Sequence, residues 1–165
     1  MNPKMENPYL LRAENVPTEF ISGDVHKAGS RTAQVVYSPQ ASIMITTRSP
    51  GYHSRASAHE GDELDYITAG EMWLFIGKTG FKVKAGDFVR IPGGEMHWAW
   101  VTGDQPCTML HVHTPPFIGN PNAANMAVGM LTADEVKNGF KVAKDIFDHD
   151  FPMEEVERAV VGSSA

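Results

Sequence analysis

Between residues 31 and 116 the chain repeats one pattern: short runs of β-branched and aromatic residues, each cut off by a turn signal. The runs fall at 31–37, 42–48, 63–68, 72–76, 81–84, 87–91, 97–101 and 108–114. The breaks between them include Pro50-Gly51, Gly61-Asp62, Ala69-Gly70, Ala85-Gly86, Pro92-Gly93-Gly94 and Gly103-Asp104. Runs this short at near-even spacing are strands of a β-sandwich or barrel, since no one of them buries enough surface alone. The expected class is therefore all-β. A length of 165 residues suits one domain with one substantial core.

The flanks differ in texture. Residues 1–30 hold three prolines and two glycines without sustained period and read as an arm, with a possible helix start at Pro17-Thr18-Glu19-Phe20. Residues 117–130 are a loop rich in Gly, Asn and Pro. Thr132 with Glu135 three residues on is a capping-box pattern, and Val136, Phe140, Ala143 and Phe147 then recur at helical spacing. A second short helix is expected after Pro152, from Met153 to Val160. The whole chain, 1–165, reads as one domain: arm, barrel at 31–116, then loop and helices.

Composition excludes several classes. A formal charge of −6 with no basic cluster argues against nucleic acid or an anionic membrane as partner. No apolar run reaches the roughly 20 residues of a membrane span, and the start lacks the apolar stretch of a signal peptide, so a cytoplasmic protein is expected. The lone Cys107 forbids an internal disulfide and reads as a small buried residue.

Chemistry concentrates at three positions. His59 and Glu63 stand four apart at the entry to one strand, and His97 opens a later strand after the turn at 92–94. A turn that brings a His beside another strand's His and Glu gathers metal ligands distant in sequence. In register with them stand Gly51, Ser57 and Gly70 around the first pair, and Gly86, Pro92, Gly94 and Val101 around His97.

These two blocks resemble the motifs of the cupin superfamily, G-x5-H-x-H-x3-E-x6-G and G-x5-P-x-G-x2-H-x3-N, at eight of ten positions. The resemblance covers 31–116 and implies a jelly-roll barrel of two antiparallel sheets around a divalent metal. It carries His59, Glu63 and His97 over as ligands. Ser57 stands where the family has a first histidine, and Val101 where it has an asparagine. Two imidazoles and one carboxylate with open positions suit non-haem Fe(II) oxygenases, a ligand set similar to that of hydroxypropylphosphonate epoxidase-type cupins. Mn, Co, Ni and Zn suit the same donors.

Further residues surround this set. His111 and His113 share one face of the strand 108–114, because strand side chains alternate. Facing inward they are donors behind the ligands, a substitute ligand or substrate contacts; facing outward they meet solvent or a partner. His53 is a candidate for a surface or entrance position, or for the missing ligand if its loop folds back. Ser57 is a candidate weak ligand or a hydroxyl bonded to backbone. Arg90 is a candidate clamp for a substrate anion, or one half of a salt bridge. Trp98 and Trp100 have the opposite parity to His97 and so need a covered outer surface, given by the arm, the C-terminal helices or a second barrel. A homodimer is expected.

Three functions compete at this stage. The leading expectation is a metal-dependent oxygenase, with Fe(II), acting on a small organic or aromatic acid. The second is a redox-neutral metal-dependent lyase or isomerase, and the third a non-catalytic small-molecule-binding barrel.

Overall fold

The computed structural model describes residues 9–22, 28–118 and 127–162. His26, most of the loop expected at 117–130 and the tail from 163 lie outside the described residues. All eight expected strands form, most extended by a residue or two. They are β2 (Ser30–Tyr37), β3 (Ser42–Arg48), β5 (Asp62–Ala69), β6 (Glu71–Ile76), β7 (Thr79–Lys84), β8 (Phe88–Ile91), β9 (His97–Trp100) and β10 (Cys107–Thr114). Four short strands were not foreseen: β1 (Glu19–Ser22), β4 (Ala58–His59), β11 (Ala127–Gly129) and β12 (Asp145–Ile146).

Apart from a separate two-stranded pair of β4 and β12, the strands build two facing sheets, the fold expected of a cupin jelly roll. The larger has the order β1-β2-β3-β10-β5-β8, antiparallel throughout, with β11 added parallel to β2. The smaller is β7-β6-β9. Bridges His53↔Trp100 and Ser57↔His97 lay the segment before β4 along the free edge of β9.

Alternation assigns each face. In β3, Ser42, Met44, Thr46 and Arg48 are buried, while Ile43 and Ile45 are exposed. In β6 both faces are covered, because Met72 and Leu74 point at the large sheet and Trp73 and Phe75 point away from it. The layer between the sheets holds Tyr52, Ile67, Met72, Leu74, Val83, Ala99, Val101, Cys107 and Met109. Cys107 is buried there as a free thiol.

The outward parity of Trp98 and Trp100 is correct, and the chain itself supplies the cover. Helix α2 (Met153–Val161) lies on the outer face of the small sheet, with Val156, Met153, Val160 and Phe151 packed against Trp98 and Phe75. Trp98 is 2% exposed.

Two expectations for the flanks need correction. Residues 17–20 are no helix: a single 3-10 turn lies earlier, at Ala13–Asn15, and Glu19–Ser22 is β1 at the edge of the large sheet. The capping box forms, with Thr132 Oγ1 accepting from Glu135 N–H and Glu135 Oε2 accepting from Thr132 N–H. Helix α1 (Ala133–Asn138) nevertheless stops at Asn138. Gly139, at φ 71°, turns the chain out of the helix, and Phe147 is left 65% exposed. The chain then runs extended so that Asp145 pairs with His59.

Candidate metal centre

Tight packing of two turns places the three motif residues. Gly61, at φ 79°, reverses the chain between His59 and Glu63, and a Cβ there would meet the Thr114 carbonyl at 2.2 Å. The turn at 92–94 packs directly on it: Gly94 N–H donates to the His59 carbonyl at 2.9 Å, and Gly93 N–H to Asp62 Oδ1 at 3.1 Å. Any side chain at Gly93 would strike the Gly61 backbone. Gly61, Gly93 and Gly94, of which only Gly94 belongs to the motifs, therefore hold the strand of His97 against the strand pair of His59 and Glu63.

Around Glu63 the side chains converge. Its Oε2 lies 2.8 Å from His59 Nε2, 3.2 Å from His113 Nε2 and 3.5 Å from His97 Nε2. His113 faces Glu63 directly across β10 and β5, so cross-strand register brings it there. Glu63, His59 and His113 are nearly inaccessible, at 3%, 4% and 3% exposure.

The same convergence tests whether a divalent ion fits. Three imidazole nitrogens pointing at one carboxylate oxygen is a donor set for a cation, since ligand nitrogens and oxygens sit about 2.0–2.2 Å from a bound transition metal. His59, Glu63 and His113 already bring one donor atom each within 4.8 Å of the others. His97 Nδ1 donates to the Glu95 carbonyl at 2.9 Å, which leaves the Nε2 lone pair for the site; such a second hydrogen bond orients metal-binding histidines. The residues fit the ion.

Behind this set sits a brace. His111 Nδ1–H donates to Glu63 Oε1 at 2.6 Å, and Nε2 meets Thr46 Oγ1 at 2.8 Å. The same Nδ1 is 2.8 Å from Asp65 Oδ1, yet its N–H is aimed at Glu63, and both Asp65 oxygens lack a hydrogen bond.

Electrostatics follow from this crowding. Burial disfavours the charged form of Glu63, but hydrogen bonds from His111, His113 and His59 more than offset it and hold its pKa well below the usual range. Burial pushes Asp65 up to about 6, with the Glu63 charge adding to it. Burial also lowers His97 and His113. In His59 and His111 burial is outweighed by the neighbouring carboxylates, and both are raised.

The remaining candidates fall in different places. Ser57 is half-buried in the wall of the central cavity, and its backbone pairs with His97 through bonds of 3.1 and 2.9 Å. His53 is neither a surface or entrance residue nor a substitute ligand. It is 1% exposed, stacked on Trp100, with Nε2 2.6 Å from Glu157 Oε1 of α2. Arg90 is no clamp either: it projects from the outer face of β8 and pairs with Asp62 at 2.8 Å, the salt-bridge alternative. Asp65, Thr46 and Arg48 were missed, although each shares a strand face with a residue or pattern that was noted.

The cavity between the sheets has a volume of about 630 Å³. The ligand cluster forms part of its wall, with Leu74, Ile91 and Met109 as apolar lining.

Residues 44–113 match the family model described as Cupin domain. The chain carries a cupin domain and has the cupin fold. Among solved structures it is similar to a sugar phosphate isomerase from a cupin superfamily of Silicibacter pomeroyi (23% identity, 64% of this chain and 74% of that one, TM-score 0.51). It is also similar to a predicted oxalate decarboxylase of Thermotoga maritima (24% identity, 64% and 97%, TM-score 0.54). A third is a cupin 2 conserved barrel domain protein of Rhodopseudomonas palustris (17% identity, 61% and 72%, TM-score 0.53). At these identities the likeness is one of fold. No curated protein matches the sequence significantly. Among the described residues, no helix is long and apolar enough to cross a membrane.

Proposed function

We propose that this protein is a metal-dependent enzyme acting on a small organic acid by redox-neutral chemistry, of the lyase or isomerase kind. The observation that carries the reading is the convergence of His59, His97 and His113 Nε2 on Glu63 Oε2 in the cavity wall. These four residues are the proposed ligands; Fe(II), Mn, Co, Ni and Zn all accept such donors. A divalent ion held there supplies Lewis-acid polarisation of a substrate carbonyl or carboxylate.

The protein's own groups do the rest. His111 fixes Glu63 Oε1 so that Oε2 faces the other donors. Asp65, with no hydrogen bond on either oxygen, is placed to hold a proton beside the site. Leu74, Ile91 and Met109 give the cavity wall apolar surface for a small ligand to pack against.

The oxygenase reading rested on three ligands and three vacancies for substrate and O2. His113 is the specific observation against it, because a fourth donor removes one vacancy. If His113 stays outside the coordination sphere, the Fe(II) oxygenase on an organic or aromatic acid is the second reading. Oxygen decides between them. The metal-loaded protein, screened against small acids with and without O2, is expected to turn over its substrate equally in both; consumption of O2 in step with substrate would overturn the redox-neutral reading.

Assembly is a separate proposal. The outer face of the large sheet exposes Ile43, Ile45, Leu64 and Phe88 at 46%, 47%, 53% and 81%. They stand on β3, β5 and β8, three strands of one sheet with β10 between β3 and β5. We propose that a second copy covers this face, as an isologous dimer brings one patch onto its equal. Light scattering is expected to give twice the 18.1 kDa of one chain; the single-chain mass at micromolar concentration would sink the idea.

A further inference from the structure

We propose that Arg31 and Arg48 form a binding site, in the cavity wall, for the anionic group of the substrate, a carboxylate or a phosphate. The proposal rests on the functional reading above only in calling the bound anion a substrate.

Strand register puts the two arginines side by side. Arg31 on β2 is the direct cross-strand partner of Arg48 on β3. Parity sends both inward, Arg31 with the buried Ala33 and Val35, Arg48 with the buried Met44 and Thr46. Both line the central cavity together with the ligand cluster. Arg48 is 7% exposed, and its guanidinium carbon stands 6.0 Å over the Tyr52 ring.

Their donors are not used up within the protein. Arg48 Nη1 donates to Thr46 Oγ1 at 2.7 Å, but the Nε of Arg48 and the Nε of Arg31 are both buried with no hydrogen-bond partner. Neither residue has a carboxylate within ion-pair distance among the described residues, although Glu19 also lines the cavity. Like charges directly opposite on a sheet repel, and a buried unpaired cation is costly. A guanidinium presents a planar fork that matches the two oxygens of a carboxylate or phosphate.

Charge balance points the same way. Glu63 and Asp65 act on Arg48 only through space, while the histidines engage Glu63 directly. A divalent ion at Glu63 would offset these two carboxylates and leave both guanidiniums without counter-charge. A chain of contacts ties the two places together: Arg48 to Thr46, Thr46 to His111 at 2.8 Å, His111 to Glu63 at 2.6 Å. An anion held by the arginines would lie in the same cavity as the metal donors.

Calorimetric titration tests this with benzoate, succinate and inorganic phosphate against the neutral benzamide and succinamide. Metal-free and Mn(II)-loaded protein are compared for the parent, Arg31→Gln, Arg48→Gln and Arg48→Lys. The expected result is saturable binding of an anion but not of the amides, in both forms and tighter in the loaded one. Each Gln variant should weaken it about 10- to 100-fold while metal stoichiometry stays that of the parent. Lys should weaken it less than Gln. Preference for the carboxylates or for phosphate names the group the site takes. Arg48 is buried, so if its Gln variant fails to fold, the half-buried Arg31→Gln carries the test. Equal binding of amides and anions, binding unchanged in Arg31→Gln, or no binding of any probe would overturn the proposal. A parent that binds an anion but no metal would overturn the functional reading and leave this one standing.

Discussion

Glu63→Gln is expected to weaken binding of a divalent ion by more than about 100-fold, since loss of an outer partner alone costs 10- to 100-fold and Glu63 is a proposed direct ligand. The amide keeps the shape but removes the negative oxygen on which three imidazoles converge. His113→Ala should weaken binding by a smaller factor, because His59, His97 and Glu63 remain. Arg90→Gln should leave metal content at the parent's value, its guanidinium being exposed and paired with Asp62. Metal analysis after loading and gel filtration reads all three. Equal metal content in Glu63→Gln and the parent would remove Glu63 from the ligand set.

The second large effect is on stability. Trp98→Ala is expected to cost about 3–5 kcal/mol in denaturant unfolding, the range for loss of a large buried aromatic. Trp98 stacks on Phe75 at 4.8 Å between centroids and meets Phe151 edge-on. Its Nε1–H donates to Glu157 Oε1 at 2.7 Å, the same oxygen that lies 2.6 Å from His53 Nε2. Truncation therefore leaves a cavity under α2 and disturbs a buried carboxylate. Glu157→Gln keeps an acceptor and should cost less than Trp98→Ala. Loss of under about 1 kcal/mol in Trp98→Ala would mean that α2 is not fastened there.

The strands were legible because two-residue alternation and turn residues are local signals. The same locality explains what was missed. His59, Glu63 and His97 stand out by spacing; His113 was named with both strand faces left open, and only register with Glu63, which needs the neighbouring strand, puts it in the cluster. Asp65 lies two residues beyond Glu63 on the same face, so parity alone places it; no spacing pattern drew attention to it. Arg31 and Arg48 look like ordinary charged ends of strands until the sheet pairs them. Thr132 announced a helix correctly, whereas its end was set by Gly139 and by the pairing of Asp145 with His59, a contact across 86 residues of sequence. His53 sits in a polar run beside Ser54 and Arg55, which suggests surface; Glu157, from the far end of the chain, is what makes its burial tolerable.

X-ray absorption at the metal edge of the Mn(II)- or Co(II)-loaded protein tests the centre most directly, because imidazole rings leave a distinct outer-shell scattering pattern. The expected spectrum shows nitrogen and oxygen donors at about 2.0–2.2 Å with three imidazoles, falling to two in His113→Ala and likewise in His97→Ala. A spectrum of oxygen donors alone, or one unchanged in both variants, would contradict a metal centre built from His59, Glu63, His97 and His113.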